Sequence, residues 1–71
     1  MNNIRMKDIQ VGSFLRDTLI NNSYVVTFAK DTKQLRVYHL HCIDEPKRSM
    51  NISFNKSRPY DVQLHWKVLS F

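Results

Sequence analysis

The sequence lacks a second cysteine, a long apolar run and an apolar leader, and each absence excludes a class of protein. Because Cys42 is its single cysteine, the chain has no internal disulfide framework, which suits a reducing compartment. No apolar run approaches the length of a transmembrane helix, and residues 1–5 lack the apolar core of a signal peptide. We therefore expect a cytoplasmic protein, in its own cell or in a host cell, without a membrane partner.

Acidic residues are also few. Six Asp and Glu stand against eleven Lys and Arg, which gives a formal net charge of +5 at pH 7. This balance favours polyanionic or phosphorylated partners. The basic residues are spread from Arg5 to Lys67 rather than gathered in one run, so a soluble surface with ordinary excess charge is the alternative interpretation.

The chain is short, and this limits its chemistry. Its 71 residues form one predicted domain, residues 1–71, near the lower size limit for independent folding and too small for a well-supported active-site cleft. His39 and His41 would lie about 7 Å apart along a strand, and Cys42 would point to the opposite face, so a zinc site is not expected. We expect no enzyme activity, no metal and no cofactor.

The surest local structure is a hairpin in the middle of the chain. Residues 24–29 are rich in β-branched and aromatic side chains, Asp31-Thr32-Lys33 is a plausible turn, and residues 34–43 alternate along a second strand. Leu35, Val37, His39, His41 and Ile43 share one face of that strand, while Arg36, Tyr38, Leu40 and Cys42 share the other. Since neither face is wholly polar, we expect a central strand covered on both sides.

The segments on either side of this hairpin give further local predictions. Residues 3–9 allow a helix of about two turns, and the Asn-Asn-Ser cluster at residues 21–23 predicts a turn. Residues 50–54 predict a strand with Met50, Ile52 and Phe54 facing inward, between loops at residues 44–49 and 55–59. The final segment, residues 60–71, alternates like a strand, although Asp61 as an N-cap would also permit a helix.

Gly12-Ser13-Phe14-Leu15-Arg16-Asp17-Thr18 contains a lone arginine between apolar, hydroxyl and acidic side chains. An arginine just inside a short strand can present a fork of donors that matches a phosphate or carboxylate. The segment resembles the phosphate-binding motif of SH2 domains, Gly-Ser/Thr-Phe-Leu-Val/Ile-Arg-Asp/Glu-Ser/Thr, and is one residue shorter. The missing residue places Arg16 on the same side as Phe14 unless a bulge restores the register.

The resemblance to SH2 domains continues, with this gap, over about residues 12–65. Tyr24-Val25-Val26-Thr27-Phe28, Val37-Tyr38-His39-Leu40-His41-Cys42, Met50-Asn51-Ile52-Ser53 and Tyr60-Asp61-Val62 follow in the order of that family's strands. It implies an α+β fold with a central antiparallel sheet and reduced helices. It also implies a module that binds a phosphotyrosine in a partner protein or peptide, with the phosphate site formed by Arg16, Thr18, His39 and His41.

The alternative is an all-β fold, a small five-stranded barrel of the SH3 or Sm-like type that binds RNA or single-stranded DNA. Residues 31–36, Ile43-Asp44 and residues 50–52 resemble parts of Sm-like RNA-binding barrels. Basic side chains interleaved with aromatic ones could hold a backbone while rings stack on bases. The nucleic-acid-binding residues would then be Arg36, Tyr38, Asn51, Lys56, Arg58 and Lys67.

A third class is a small inhibitor or adaptor that binds another protein through a sheet edge or an apolar patch. Trp66 is interpreted as a core residue rather than a base-stacking one. The expectation is a non-enzymatic binding module that recognises an anionic group through Arg16.

Overall fold

The computed structural model describes residues 3–70, which form strands and one short 3-10 turn. The order along the chain is β1, the 3-10 turn Met6–Asp8, and then β2 to β7. The strands are β1 (Asn3–Arg5), β2 (Phe14–Asp17), β3 (Asn22–Asp31), β4 (Leu35–Cys42), β5 (Ser49–Asn55), β6 (Val62–Leu64) and β7 (Trp66–Ser70).

Five of the strands form one curled antiparallel sheet in the order β5-β4-β3-β2-β7. Strands β2 to β5 follow each other as a meander, and β7 returns to pair with the free side of β2. Strands β1 and β6 pair separately as a two-stranded sheet. The predicted hairpin at Asp31-Thr32-Lys33 is confirmed, and Thr32 closes its turn by donating its N–H to the Leu35 carbonyl at 2.8 Å.

The predicted α+β fold with reduced helices is wrong, because the regular structure of residues 3–70 is strand apart from one 3-10 turn. The all-β alternative agrees with the observed class. Residues 3–9, for which the sequence allowed a two-turn helix, form β1 and the 3-10 turn instead, because Ile4 pairs with Gln63 in the small sheet. No helix among residues 3–70 is long and apolar enough to cross a membrane.

The core lies on the concave side of the curled sheet, where alternate residues of each strand meet. The rings of Tyr24 and Trp66 pack at a centroid distance of 5.5 Å, and those of Tyr38 and Phe54 meet edge to face at 6.0 Å. The prediction that Trp66 belongs to the core is confirmed. The buried apolar side chains are Ile4, Ile9, Leu15, Tyr24, Val26, Tyr38, Leu40, Cys42, Ile52, Phe54 and Trp66.

Strand β4 is central in the sheet, as predicted, but it is not covered on both sides. Tyr38, Leu40 and Cys42 are buried, whereas Val37, His39 and His41 on the other face are only half-buried. Phe28 and Leu35 on this convex face are 53% and 38% exposed, so no second layer covers it within residues 3–70. In the neighbouring strand β5, the predicted inward direction of Met50, Ile52 and Phe54 is confirmed.

Two irregularities change the register of the sheet. The β3–β4 ladder passes from Val26 opposite Leu40 to Phe28 opposite His39, so Thr27 is an extra residue in β3. The β2–β7 ladder passes from Leu15 opposite Val68 to Phe14 opposite Ser70, so Leu69 is extra in β7. Each bulge bends its strand and increases the local twist.

The final segment is extended, as its alternation predicted, but it is not one strand. His65 has φ 67° and separates β6 from β7. The alternation breaks there: Val62 and Leu64 are exposed and Trp66 is buried, although an unbroken strand would place all three on one side. Phe71, the last residue of the predicted segment, lies outside the described residues.

Candidate nucleic-acid interface

The convex side of the five-stranded sheet, called the outer face below, carries no carboxylate at any outward strand position within residues 3–70. Three of its side chains are Lys or Arg, one each from β2, β3 and β7. Aromatic and imidazole rings lie between them. The outer face comprises Phe14, Arg16, Ser23, Val25, Phe28, Lys30, Leu35, Val37, His39, His41, Ser49, Asn51, Ser53, Asn55 and Lys67.

Phe28 and His39 form a stacked pair at the centre of this face. Their ring centroids lie 4.8 Å apart with an interplanar angle of 9°. His39 Nδ1 lies 2.9 Å from the side-chain oxygen of Asn51 in β5, which fixes the orientation of the imidazole. Phe28 is nevertheless 53% exposed, so half of a large apolar ring remains open to a ligand.

A second row of outward side chains crosses the sheet beside this pair. Phe14 lies opposite Val25, and Val25 lies opposite His41. Phe14 is 37% exposed, and Val25 and His41 are half-buried. Since directly opposite residues in an antiparallel pair have Cβ atoms about 5 Å apart, these side chains form a continuous surface next to Phe28 and His39.

Two cations face each other at one margin of the outer face. Arg16 in β2 lies directly opposite Lys67 in β7. The Arg16 guanidinium donates to Ser23 Oγ at 3.0 Å and to the Asn21 carbonyl at 3.3 Å, and neither cation has an ion pair within residues 3–70. Like charges directly opposite in a sheet are destabilising. A bound anion would relieve that repulsion.

The residues predicted from the SH2 resemblance share part of this surface but do not converge. Arg16 lies on the same side as Phe14, as the shortened motif implied. His41 lies two strands from Arg16 and is offset by two residues along the strand direction, which places it about 12 Å away by the usual strand spacing. His39 is farther still. Thr18 follows β2 in a turn, where its N–H donates to the His65 carbonyl at 2.8 Å.

The residues predicted for nucleic-acid binding are divided between four places. Asn51 and Lys67 lie on the outer face. Tyr38 is 1% exposed, so its ring is unavailable to a base. Arg58 pairs with Asp61 in the loop before β6 at 3.3 Å.

The remaining two, Arg36 and Lys56, belong to an ion cluster at the β3–β4 turn. Arg36 donates to both carboxylate oxygens of Asp31, at 2.9 and 3.0 Å, and Lys56 Nζ lies 3.5 Å from Asp31 Oδ1. The hydrogen bond from Arg36 is the main cause that lowers the pKa of Asp31 to about 2, and the charges of Arg36 and Lys56 add to it. Both cations are therefore already neutralised in part.

Comparison with protein-family models, curated proteins and solved structures finds no match to this chain. Among the described residues, no three His, Cys, Asp or Glu side chains are grouped to hold a metal ion, and Cys42 points into the core, away from His39 and His41.

Sequence reasoning missed Phe14, Phe28 and Lys30 as site residues. For Phe14 a signal existed, because Phe14 and Leu15 are adjacent and neighbours in a strand point to opposite faces, so one of the two had to lie outside a one-sided core. Phe28 gave no such signal. In an unbroken strand it would share the face of Tyr24 and Val26, and the bulge at Thr27 alone moves it to the outer face.

Proposed function

We propose that this protein is a non-enzymatic module that binds single-stranded nucleic acid on the outer face of its sheet. The observation that supports the proposal best is an open aromatic surface, Phe28 on His39 with Phe14 nearby, on a face without strand carboxylates. Arg16, Lys30 and Lys67 surround that surface with positive charge.

The chemistry of the face fits single strands better than duplexes. Exposed rings stack on bases that are already unstacked, and this contact is worth about 1–3 kcal/mol per base with little dependence on sequence. Lys and Arg around the rings attract the phosphates. In a duplex the bases are stacked on each other, and their faces are closed to Phe28.

The test is fluorescence anisotropy with labelled oligo(dT) and oligo(rU) of about 12 nucleotides, a length within the range that small β-barrel domains cover. Phe28→Ala is expected to weaken binding by about tenfold, which corresponds to about 1.4 kcal/mol. Because Phe28 is half exposed, the variant keeps its fold, which the buried Trp66 reports by fluorescence.

Tyr60→Ala is the matched control. Tyr60 is 68% exposed and lines a hollow with Arg5, Lys7 and Pro59, so it is an aromatic residue in a cationic setting outside the outer face. Equal losses from both variants, or no binding by the wild type at low salt, would contradict the proposal. Binding of free phosphotyrosine, abolished by Arg16→Ala, without oligonucleotide binding would favour the phosphopeptide function instead.

A further inference from the structure

Strand β5 is one edge of the five-stranded sheet and is unusual in carrying no charge. Its seven residues, Ser49–Asn55, include no Lys, Arg, Asp, Glu or Pro. Every other strand of that sheet contains Lys or Arg. Proteins commonly protect edge strands with charges or prolines, because an unpaired edge is a template for another strand. This edge has neither device.

The ladder shows which backbone groups of β5 are open. The Cys42 N–H donates to the Arg48 carbonyl and the Lys56 N–H donates to the Gln34 carbonyl, so the even-numbered residues of β5 face β4. The N–H and C=O groups of Ser49, Asn51 and Ser53 therefore point away from the sheet. The carbonyl of the next odd residue, Asn55, is already used by the Arg58 N–H in a turn.

One other contact reaches this edge within residues 3–70. The Gln63 side-chain amide donates to the Ser53 carbonyl at 3.0 Å. A side chain from the small sheet thus supplies one hydrogen bond of the kind that a neighbouring strand would supply. A pairing strand has to displace this amide or share the carbonyl with it.

The absence of charge points to the kind of strand that fits. In a twofold-symmetric antiparallel pair, residues near the axis lie opposite themselves or their close neighbours, so a charge there would meet its own copy. The chain as a whole carries +5, yet β5 is neutral. A basic protein can bring two copies of this edge together without placing like charges opposite each other in the new ladder.

We propose that two copies of this chain pair through β5, antiparallel and centred on Asn51, to form a dimer with a continuous sheet. This register places Ser49 opposite Ser53 of the second copy. It pairs the backbone N–H and C=O groups of Ser49, Asn51 and Ser53 that point away from β4. The symmetry axis runs perpendicular to the sheet, so the two outer faces lie side by side on the same surface. The dimer does not depend on the proposed nucleic-acid binding.

Amide hydrogen exchange on the wild-type protein, without nucleic acid, tests this pairing residue by residue. Asn51 and Ser53 amides are expected to exchange at least tenfold more slowly in a concentrated than in a dilute sample. The Ile52 amide faces β4 and serves as the internal control, because its protection comes from the monomer. Physiological or higher salt screens repulsion between the basic chains.

Sedimentation equilibrium of two variants gives a second test. Ser53→Pro removes the outward N–H, which edge strands tolerate, and is expected to weaken self-association at least tenfold. Ser53→Ala keeps that N–H and is the matched control, with self-association like the wild type.

A wild-type mass that stays monomeric up to millimolar concentration would overturn the proposal. So would a dimer in which exchange at Asn51 and Ser53 does not slow. If Ser53→Pro fails to fold, the wild-type exchange pattern decides by itself. None of these outcomes depends on whether an oligonucleotide binds.

Discussion

Asp31 accepts two hydrogen bonds from Arg36 and lies 3.5 Å from Lys56 Nζ. These contacts make the stability contributed by its carboxylate sensitive to acid. Its folded-state pKa, about 2, is below the ordinary value of 3.8, chiefly because of the Arg36 hydrogen bond. A lowered pKa stabilises the fold above pH 4, and that stabilisation is lost as pH falls towards 2. The group is exposed, so solvent screening keeps the effect small.

We expect Asp31→Asn to flatten this part of the acid profile. The melting temperature of the wild type should fall between pH 4 and pH 2 more steeply than that of the variant. Thermal unfolding followed by circular dichroism across that range measures the difference. Parallel profiles would mean that the Arg36 pairing contributes nothing to stability.

Backbone conformation is a second residue-scale feature, because φ is positive at both Gly12 and His65 and substitution should change stability in opposite directions at the two positions. Gly12 has φ 95°, and a Cβ there would meet no heavy atom within 4 Å. Gly12→Ala therefore reports backbone strain alone and should cost about 1–2 kcal/mol. His65 has φ 67°, a conformation that glycine adopts without strain. His65→Gly should therefore leave the free energy of unfolding unchanged or raise it by up to about 1 kcal/mol. Urea denaturation measures both, and destabilisation by both substitutions would contradict this reasoning.

The interleaving of basic and aromatic residues along the sequence did not predict which rings are exposed. Arg36 beside Tyr38 looked like a charge next to a stacking ring, but the ring is in the core and the guanidinium is bound to Asp31. Sequence alternation already placed Tyr38 on the face of Leu40 and Cys42. Whether that face was covered could not be predicted, because it depends on contacts between distant strands.

At the scale of elements, β7 closes the core beside β2, because it carries the buried Trp66. It pairs with β2 and inserts Trp66 against Tyr24, although it comes last in the chain. Its extended conformation was predictable from alternation. Its separation from β6 was not, because a histidine at positive φ is uncommon and gives no sequence signal comparable to glycine.

We expect Trp66→Ala to cost about 3–5 kcal/mol, most of the stability available to a domain of this size. Leu69→Ala in the same strand is the control, since Leu69 is 45% exposed at a bulge, and should cost less than about 1 kcal/mol. Urea denaturation monitored by circular dichroism compares them. Similar costs at the two positions would show that Trp66 is not a core residue in solution.

At the scale of the whole molecule, the salt dependence of affinity distinguishes binding by several spread cations from binding by one local contact. If Arg16, Lys30 and Lys67 each contact one phosphate of a single strand, the logarithm of affinity should fall with the logarithm of salt with a slope of about −2. Between 50 and 200 mM salt this is a loss of about 20-fold. Anisotropy titrations over that range measure the slope, and a slope near zero would remove the electrostatic part of the proposal.

The strand order of the sheet was harder to predict from the sequence than the strands themselves. The hairpin β3–β4 and the strand β5 follow from short-range patterns, such as Met50, Ile52 and Phe54. The pairing of β2 with β7 joins residues about fifty positions apart, and no local pattern encodes it. The resemblance to SH2 domains added helices that the chain does not form in residues 3–70.

The bulge at Thr27 has a consequence for how this surface could change through evolution. If Thr27 were deleted, Val26 would stay opposite Leu40 and Phe28 would stay opposite His39, now in an unbroken ladder. Phe28 would remain on the convex side, but β3 would lose its bend. Loss of a single codon would therefore reduce the curvature of the sheet while preserving its central ring pair, so the curvature and the exposed rings can vary independently of each other.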